Sequence, residues 1–391
     1  MVHSNDCNER KKSVLFITHE DDKYGAAKSL MSIVISMQKS EFKPIVITCK
    51  NNKYSEICRK NGISTFRLNY KRCTTSKKDS QIVKILKKIR HDVLNCVSAS
   101  KLKKIIRDNN VAIIHTNTVI IDLGMCVSKK LHIPHVWHIR EFLDLDFDQE
   151  FLNHKQVERM NCSGANFVCI SNAIRKHWNE KGLVNNTRVI YNGVSMDISR
   201  TIKKTETTDK CKILFVGHIT SQKGQELFIE ACHLLDIGVI KKMDAHIYGN
   251  GDNHYVDFLK NKVKEYDLEE SIRFEGFTSE LNMILPRYDI GIVASKAEGF
   301  GRVTIEYMLH GLCVLASDTG ANPEIIDNTN GSLFEYGNVQ DMSVKLKNLI
   351  INDELRKQKA EKGRKDAINR FSQKRYVSDC LKLYGGLIHE D

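Results

Sequence analysis

Short apolar runs alternate along this chain with stretches in which apolar residues recur every three or four positions. "VLFIT" (14–18) reads as a first strand, followed by the polar loop "HEDDKYGAAKS" and a helix from about Ala26 to Met37. "KPIVITC", "ISTFRL", "VAIIHTN" (111–117), "HVWHI" (135–139), "NFVCISN" (166–172) and "TRVIYNG" (187–193) read as further strands. Between them Ile82, Leu86, Ile89, Val93 and Val97 recur at helical spacing. Such alternation of strand and helix predicts a parallel, doubly wound α/β sheet.

The alternation pauses at "SMDISRTIKKTETTDKC" (195–211), which is polar and lacks apolar periodicity, so it reads as an interdomain linker. It restarts with "KILFVGH", "DAHIYGNGD", "SIRFEGF", "DIGIVAS" and "CVLASDTG". The pattern therefore divides into a Rossmann-like domain over 1–196, a linker over 197–211, a second Rossmann-like domain over 212–370 and a terminal helix over 371–391 that can pack back on the first domain. Two such domains facing a central cleft would put the carboxyl ends of their strands, where open α/β sheets bind ligands, on either side of it.

Composition narrows the picture. At 41% hydrophobic and 28% charged, the 391 residues fit an ordinary soluble protein. The first thirteen residues are polar and no apolar run is long enough to span a bilayer, so the expectation is a cytoplasmic protein. The 12 cysteines form no CxxC pair, which argues against a zinc site or a disulfide framework. The net charge of +12 is concentrated: residues 71–107 hold 12 Lys/Arg and 2 Asp, a net +10. A basic segment attracts nucleic acid, an anionic membrane surface or an acidic substrate, and is equally compatible with a solvated helix face. Nucleic acid is disfavoured because 71–107 contains no Phe, Tyr or Trp to stack on bases.

The candidate chemistry lies at strand ends. In "FVGHITSQKG" (215–224) a strand ends at Gly217, and Lys223 precedes the glycine that opens a helix. A lysine at a helix N-terminus suits a diphosphate, although this is not a Walker loop and, taken alone, a surface lysine is the better account of it. In "AEGFGRVTIEYMLHG" (297–311) Glu298 precedes a Gly299-Phe300-Gly301 turn and Glu306 lies more than one turn into the following helix. The N–H groups of Phe300, Gly301 and Arg302 can hold an anion, and carboxylates accept hydrogen bonds from a vicinal diol. From spacing alone, two solvent-facing charges are an equal alternative. In the first domain, Gly25 marks a loop-to-helix junction, and His138 lies near an expected switch point. A lone histidine is usually structural, and Arg140 and Glu141 are able to pair with each other or with neighbours.

Together these residues resemble glycosyltransferase family 4, the retaining enzymes of GT-B fold. The run 272–334 carries the resemblance best: "E-x7-E" matches Glu298 and Glu306, "GANPEII" matches a Gly-x-x-Glu-like segment, and "FVGHITSQKG" matches the strand, loop and Lys-Gly helix start. "CISN" and "VIYNGV" match the end of the family's first domain. Two departures stand out. His218 occupies a position where the family usually has Arg, leaving that cationic role to another residue such as Arg302. The first-domain glycine loop is "GAA" rather than Gly-Gly.

The resemblance implies a first domain that presents the acceptor and a second that binds a nucleotide sugar. It implies that Lys223 neutralises the donor diphosphate, Glu298 holds sugar hydroxyls, and Glu306 binds the ribose diol. Phe300 and Gly301 would offer N–H groups to phosphate, Gly25 would let the first domain approach it, His138 would sit near the transferred sugar, and the base would rest near Phe277. The implied activity is hexosyl transfer with retention, from a UDP- or GDP-sugar co-substrate to a glycan or lipid-linked acceptor in bacterial surface polysaccharide synthesis, with no metal and no further cofactor. A lipid-linked acceptor would bring the basic segment 71–107 to the inner face of the cell membrane as a peripheral contact. A GT-B epimerase or phosphorylase, or a non-catalytic partner subunit, remains the alternative.

Overall fold

The computed structural model describes residues 11–19, 25–195 and 209–389. Contacts divide the chain into two units: Met1–Gly193 with Lys374–Asp391, and Val194–Gln373. The expected linker falls mostly on 197–208, outside the described residues, and its last residue, Cys211, already opens a strand. Residues 20–24 of the first polar loop also lie outside the description.

The first unit is built on a seven-stranded sheet. Its order is Ser64–Arg67, Phe42–Thr48, Lys12–Thr18, Val111–Thr116, His135–Ile139, Asn166–Cys169, Thr187–Val189. All neighbours run parallel. Val14, Leu15, Phe16 and Ile17 are completely buried, as strands of a sheet covered on both faces require. The expected strand over 187–193 is shorter, because pairing to the sheet ends after Val189 apart from the Ile190 N–H bond to Cys169 O. The strand order reverses between Lys12–Thr18 and Val111–Thr116, which makes their carboxyl ends the switch point of this sheet. An antiparallel pair, Thr74–Ser76 with Gln149–Phe151, has no counterpart in the sequence reading.

The terminal helix, Gln373–His389, contributes Tyr376, Cys380, Leu383 and Tyr384 to the first unit's core. Tyr384 Oη and His115 Nδ1 share a 2.7 Å hydrogen bond, so the end of the chain is joined to a central strand by a polar contact as well as by packing.

The second unit has a six-stranded parallel sheet in the order Ile272–Gly276, Met243–Tyr248, Cys211–Val216, Ile290–Val293, Cys313–Ser317, Ser332–Phe334. Here the order reverses between Cys211–Val216 and Ile290–Val293. The loops that leave those two strands carry Lys223 and Glu298. The topology alone therefore brings the two motifs to one place in this unit.

The long basic helix spans Gln81–Asp108. Its periodic aliphatic residues Ile82, Leu86, Ile89, Val93 and Val97 face solvent, while His91, Asn95, Ser98, Leu102 and Ile106 face the protein. Polar anchors explain the choice of face. Asn95 Oδ1 accepts from Lys71 N at 2.7 Å, Asn95 Nδ2 donates to Lys71 O at 3.1 Å, and His91 Nε2 lies 3.0 Å from Asp122 Oδ1.

Candidate donor site in the second unit

The site begins where Cys211–Val216 ends. Gly217 N donates to Tyr248 O, and a single turn of 3₁₀ helix, Ser221–Lys223, leads to Gly224. Gly224 has φ +78°, and a Cβ there would lie 2.2 Å from Ala294 O. The glycine of the Lys-Gly pair thus lets this turn close against the neighbouring strand's exit, which sets Lys223 beside the loop that carries Glu298. His218 is exposed, and its carbonyl accepts from Gln225 Nε2.

Glu298 bridges two elements. Its Oε2 accepts from Lys223 Nζ at 3.2 Å and its Oε1 accepts from Gly301 N at 3.2 Å. The carboxylate therefore sits at the start of the helix Arg302–Leu309, where N–H groups without intrahelical partners favour negative charge. Gly301 takes φ +79°, and a Cβ there would lie 2.6 Å from Ile325 Cδ1. One turn further on, Arg302 Nε donates to Glu306 Oε1 at 3.0 Å. Phe300 is nearly buried, its ring edge-on to Phe371 at 6.1 Å, so only its main chain is available to a ligand. Gly299 lies between Glu298 and Phe300 in the same turn.

Two neighbouring features hold this arrangement. Tyr307 Oη accepts from Val216 N at 2.8 Å, and a Cβ on Gly291 would lie 2.2 Å from the Tyr307 ring. The helix is thereby fastened to the end of the first strand through a tyrosine that only a glycine could admit. The second feature is the loop after Cys313–Ser317. Ser317 Oγ and Thr319 Oγ1 both donate to Ser295 O, and Ala321 N donates to Glu298 O at 2.7 Å. Ser295, Thr319 and Ala321 were not singled out from sequence; their position at consecutive strand ends was the available signal.

Of the expected residues, Lys223, Glu298 and Gly301 meet here; Gly217 and His218 lie earlier on the loop that carries Lys223, and Gly299, Phe300, Arg302 and Glu306 lie in the Glu298 turn and the helix Arg302–Leu309. Phe277 follows the strand Ile272–Gly276 with its ring 71% exposed. Arg302, considered as a substitute for the cation missing at His218, instead has its Nε engaged by Glu306. Gly25 opens the helix Gly25–Met37 in the first unit and is exposed.

His138 departs from expectation. Its side chain is completely buried in the first unit, with Arg140 Nη2 donating to its Nδ1 at 3.3 Å and the His115 ring 5.4 Å away. Burial, then the charge of Arg140 and the proximity of His115, hold the imidazole well below its ordinary pKa. A neutral imidazole with no exposed surface presents no atom to a sugar in this structure. Arg140 and Glu141 are also structural: Arg140 bonds Asn117, Asn192 and Tyr376, and Glu141 accepts from Thr118 Oγ1 and Val119 N. Among the described residues, no group of three or more His, Cys, Asp or Glu is placed to hold a metal ion, and no helix is long and apolar enough to cross a membrane.

Comparison with known proteins gives the following. Residues 197–366 match the family model "Glycosyl transferases group 1", and residues 25–198 match "Glycosyltransferase Family 4". The chain is 29% identical over 303 residues to an uncharacterized glycosyltransferase of Methanocaldococcus jannaschii, covering 76% of this chain and 82% of that protein. It is 32% identical over 177 residues to the poly(ribitol-phosphate) alpha-N-acetylglucosaminyltransferase of Staphylococcus aureus, covering 43% of this chain and 35% of that enzyme. In fold it is similar to Anabaena HepE in complex with UDP, with a TM-score of 0.78 at 18% identity over 96% of this chain and 100% of that one.

Proposed function

The chain belongs to the GT-B glycosyltransferases of family 4, and on that premise we propose that it moves a hexose from a UDP- or GDP-sugar to a hydroxyl of a bacterial surface glycan or its lipid-linked precursor, with retention of anomeric configuration. One observation carries the site assignment. Lys223, Glu298 and the N–H of Gly301 meet at the point where the second sheet reverses its strand order.

In this reading the donor diphosphate lies against Lys223 and the first N–H groups of Arg302–Leu309. Both stabilise the negative charge that develops on the departing nucleoside diphosphate, so the leaving group needs no divalent metal. Lys223 is held by Glu298 before the donor arrives. A diphosphate competes for that ammonium, and the displaced carboxylate turns to the sugar hydroxyls. Glu306 accepts from the ribose diol, with Arg302 fixing its rotamer. The acceptor hydroxyl attacks from the face the diphosphate leaves, and the diphosphate oxygen takes its proton.

The similarity to a poly(ribitol-phosphate) glycosyltransferase supports a surface-polymer acceptor. The basic segment 71–107 supports work at the cytoplasmic face of an anionic membrane, where lipid-linked acceptors reside. Release of nucleoside diphosphate from a panel of sugar nucleotides, in the presence of bacterial glycolipid acceptors, tests the activity. Turnover that releases no diphosphate would instead indicate an epimerase, and donor binding without turnover a partner subunit.

A further inference from the structure

The helix Gln81–Asp108 packs on the protein through a largely polar face, His91, Asn95, Ser98, Leu102 and Ile106, and leaves an aliphatic face uncovered. Residues three or four positions apart share a face, so Ile82, Leu86, Ile89, Val93 and Val97 form one continuous stripe. These five side chains are between 51% and 72% exposed. The face that packs on the protein lies about 180° away at 3.6 residues per turn. It is held there by the bonds of Asn95 to Lys71 and of His91 to Asp122. The helix cannot roll to bury its stripe without breaking these buried polar contacts, so the stripe is fixed outward over about 22 Å of helix.

The charges around the stripe select its partner. Eight Lys/Arg and two Asp lie within 81–108. Lys84 and Lys87 are engaged by Glu150 and Asp79. Among the described residues, Arg90, Lys101, Lys104 and Arg107 make no ion pair, and they border or extend the stripe. A second copy of the chain seated on this face would set these cations against their equivalents, with only Asp92 and Asp108 to offset them. An anionic lipid surface satisfies both features. Aliphatic side chains enter the acyl boundary, and lysine and arginine remain at the headgroups.

We propose that the Ile82–Val97 face of this helix is a membrane-docking surface that inserts in the plane of an anionic bilayer. The inference rests on the membrane-facing reading given above and deepens it: attachment combines apolar insertion with the long-range attraction of the basic segment. Insertion differs from attraction in its response to salt. At about 0.5 M salt the Debye length is only a few ångströms, and binding by charge alone disappears.

The test is flotation of the full chain with vesicles of mixed phosphatidylglycerol and phosphatidylcholine, at low and high salt. The variant Ile82→Ser/Leu86→Ser/Ile89→Ser/Val93→Ser changes only exposed positions, so its melting temperature is expected to match the parent. Its partition coefficient is expected to fall by more than about tenfold, and its residual binding to vanish at high salt. A second readout is the variant Ile89→Trp, whose emission should move to shorter wavelength on adding vesicles; the native Trp137 and Trp178 are buried and supply a constant background. If the parent binds anionic vesicles but the serine variant binds equally well and the emission of Ile89→Trp is unmoved, the basic-segment reading stands and the insertion inference fails. If the parent does not bind at low salt, both fail. If light scattering finds a dimer that the serine variant converts to a monomer, the stripe is a contact between copies and the inference is overturned.

Discussion

Lys223 Nζ lies 3.2 Å from Glu298 Oε2, joining a cation from one strand-end loop to an acid from the next across 75 positions of sequence. The pair is partly exposed, so its contribution to stability is expected to be below about 1 kcal/mol. In the proposed function its importance lies in what it would prepare: a cation placed for a diphosphate, and a carboxylate that would become available when the diphosphate takes that cation.

Removing either partner should therefore leave the fold intact and remove the chemistry. Lys223→Ala and Glu298→Ala are each expected to lower kcat/KM for sugar transfer by about 100-fold or more, in line with the loss of one group aimed at developing charge. Their melting temperatures should stay within a few degrees of the parent. Diphosphate release assays on variants with verified circular dichroism check this, and full activity in both removes the assignment.

In the proposed site Arg302 would act through Glu306. With Nε donating to Oε1 at 3.0 Å, it holds that carboxylate in one orientation. Arg302→Ala is expected to raise KM for the sugar nucleotide by roughly three- to tenfold with a smaller change in kcat, the pattern of lost ground-state binding. Glu306→Ala should give the same split, and the double variant less than the product of the two effects, because the residues share one interaction. Effects that multiply would contradict the link.

Gly301 combines φ +79° with a close Ile325 methyl group. Gly301→Ala is expected to destabilise the second unit by about 1–3 kcal/mol, through left-handed strain and overpacking. Calorimetric unfolding measures it directly. The double variant Gly301→Ala/Ile325→Val should recover part of the loss by making room for the new methyl group.

The first unit should be acid-sensitive. Burial lowers the pKa of His135 from 6.5 to about 3. Burial, with the charge of Arg140, holds His115 and His138 well below 6.5. A histidine whose folded pKa is depressed binds its proton mainly in the unfolded chain. Its stability contribution is therefore present above pH 6.5 and declines as pH falls toward the folded value, by up to about 1.4 kcal/mol per pH unit for each group. His91 runs the other way. Burial opposes its proton, but bonds to Asp122 and Asp92 outweigh burial and raise its pKa. Its contribution is present below 6.5 and fades as pH rises through the raised value. Urea unfolding between pH 7 and pH 4 should show a steep loss that becomes shallower in His135→Asn, provided that variant folds at pH 7.

How much of this was legible in the sequence depended on distance along the chain. Strand interiors such as Val14–Ile17 could be read because a strand covered on both faces is continuously apolar. The loop order around "GHITSQKG" and "AEGFGRVTIE" was readable because parallel sheets place successive strand exits at one edge. Long-range pairing was not. Nothing local to Lys223 indicates that Glu298 neutralises it, nor local to Ser295 that Ser317 and Thr319 hold its carbonyl. His138 misled because strand-end placement suggested a site, while residues on both faces of this central strand are buried. The basic helix was legible in part. Its aliphatic period was visible, but the face that turns inward is the one whose His91 and Asn95 hydrogen-bond Asp122 and Lys71, partners far away in sequence.

The central claim is that Lys223 and Glu298 form the diphosphate end of a sugar-nucleotide site. Thermal unfolding of the parent chain and of Lys223→Ala, across a panel of UDP- and GDP-sugars at saturating concentration, tests it most directly. Ligand held at about 100 times its dissociation constant stabilises the bound unit by about 2.7 kcal/mol. At least one sugar nucleotide is expected to raise the parent's melting temperature by several degrees, and Lys223→Ala to lose most of that shift. An equal shift in parent and variant, or none with any sugar nucleotide, would contradict the claim.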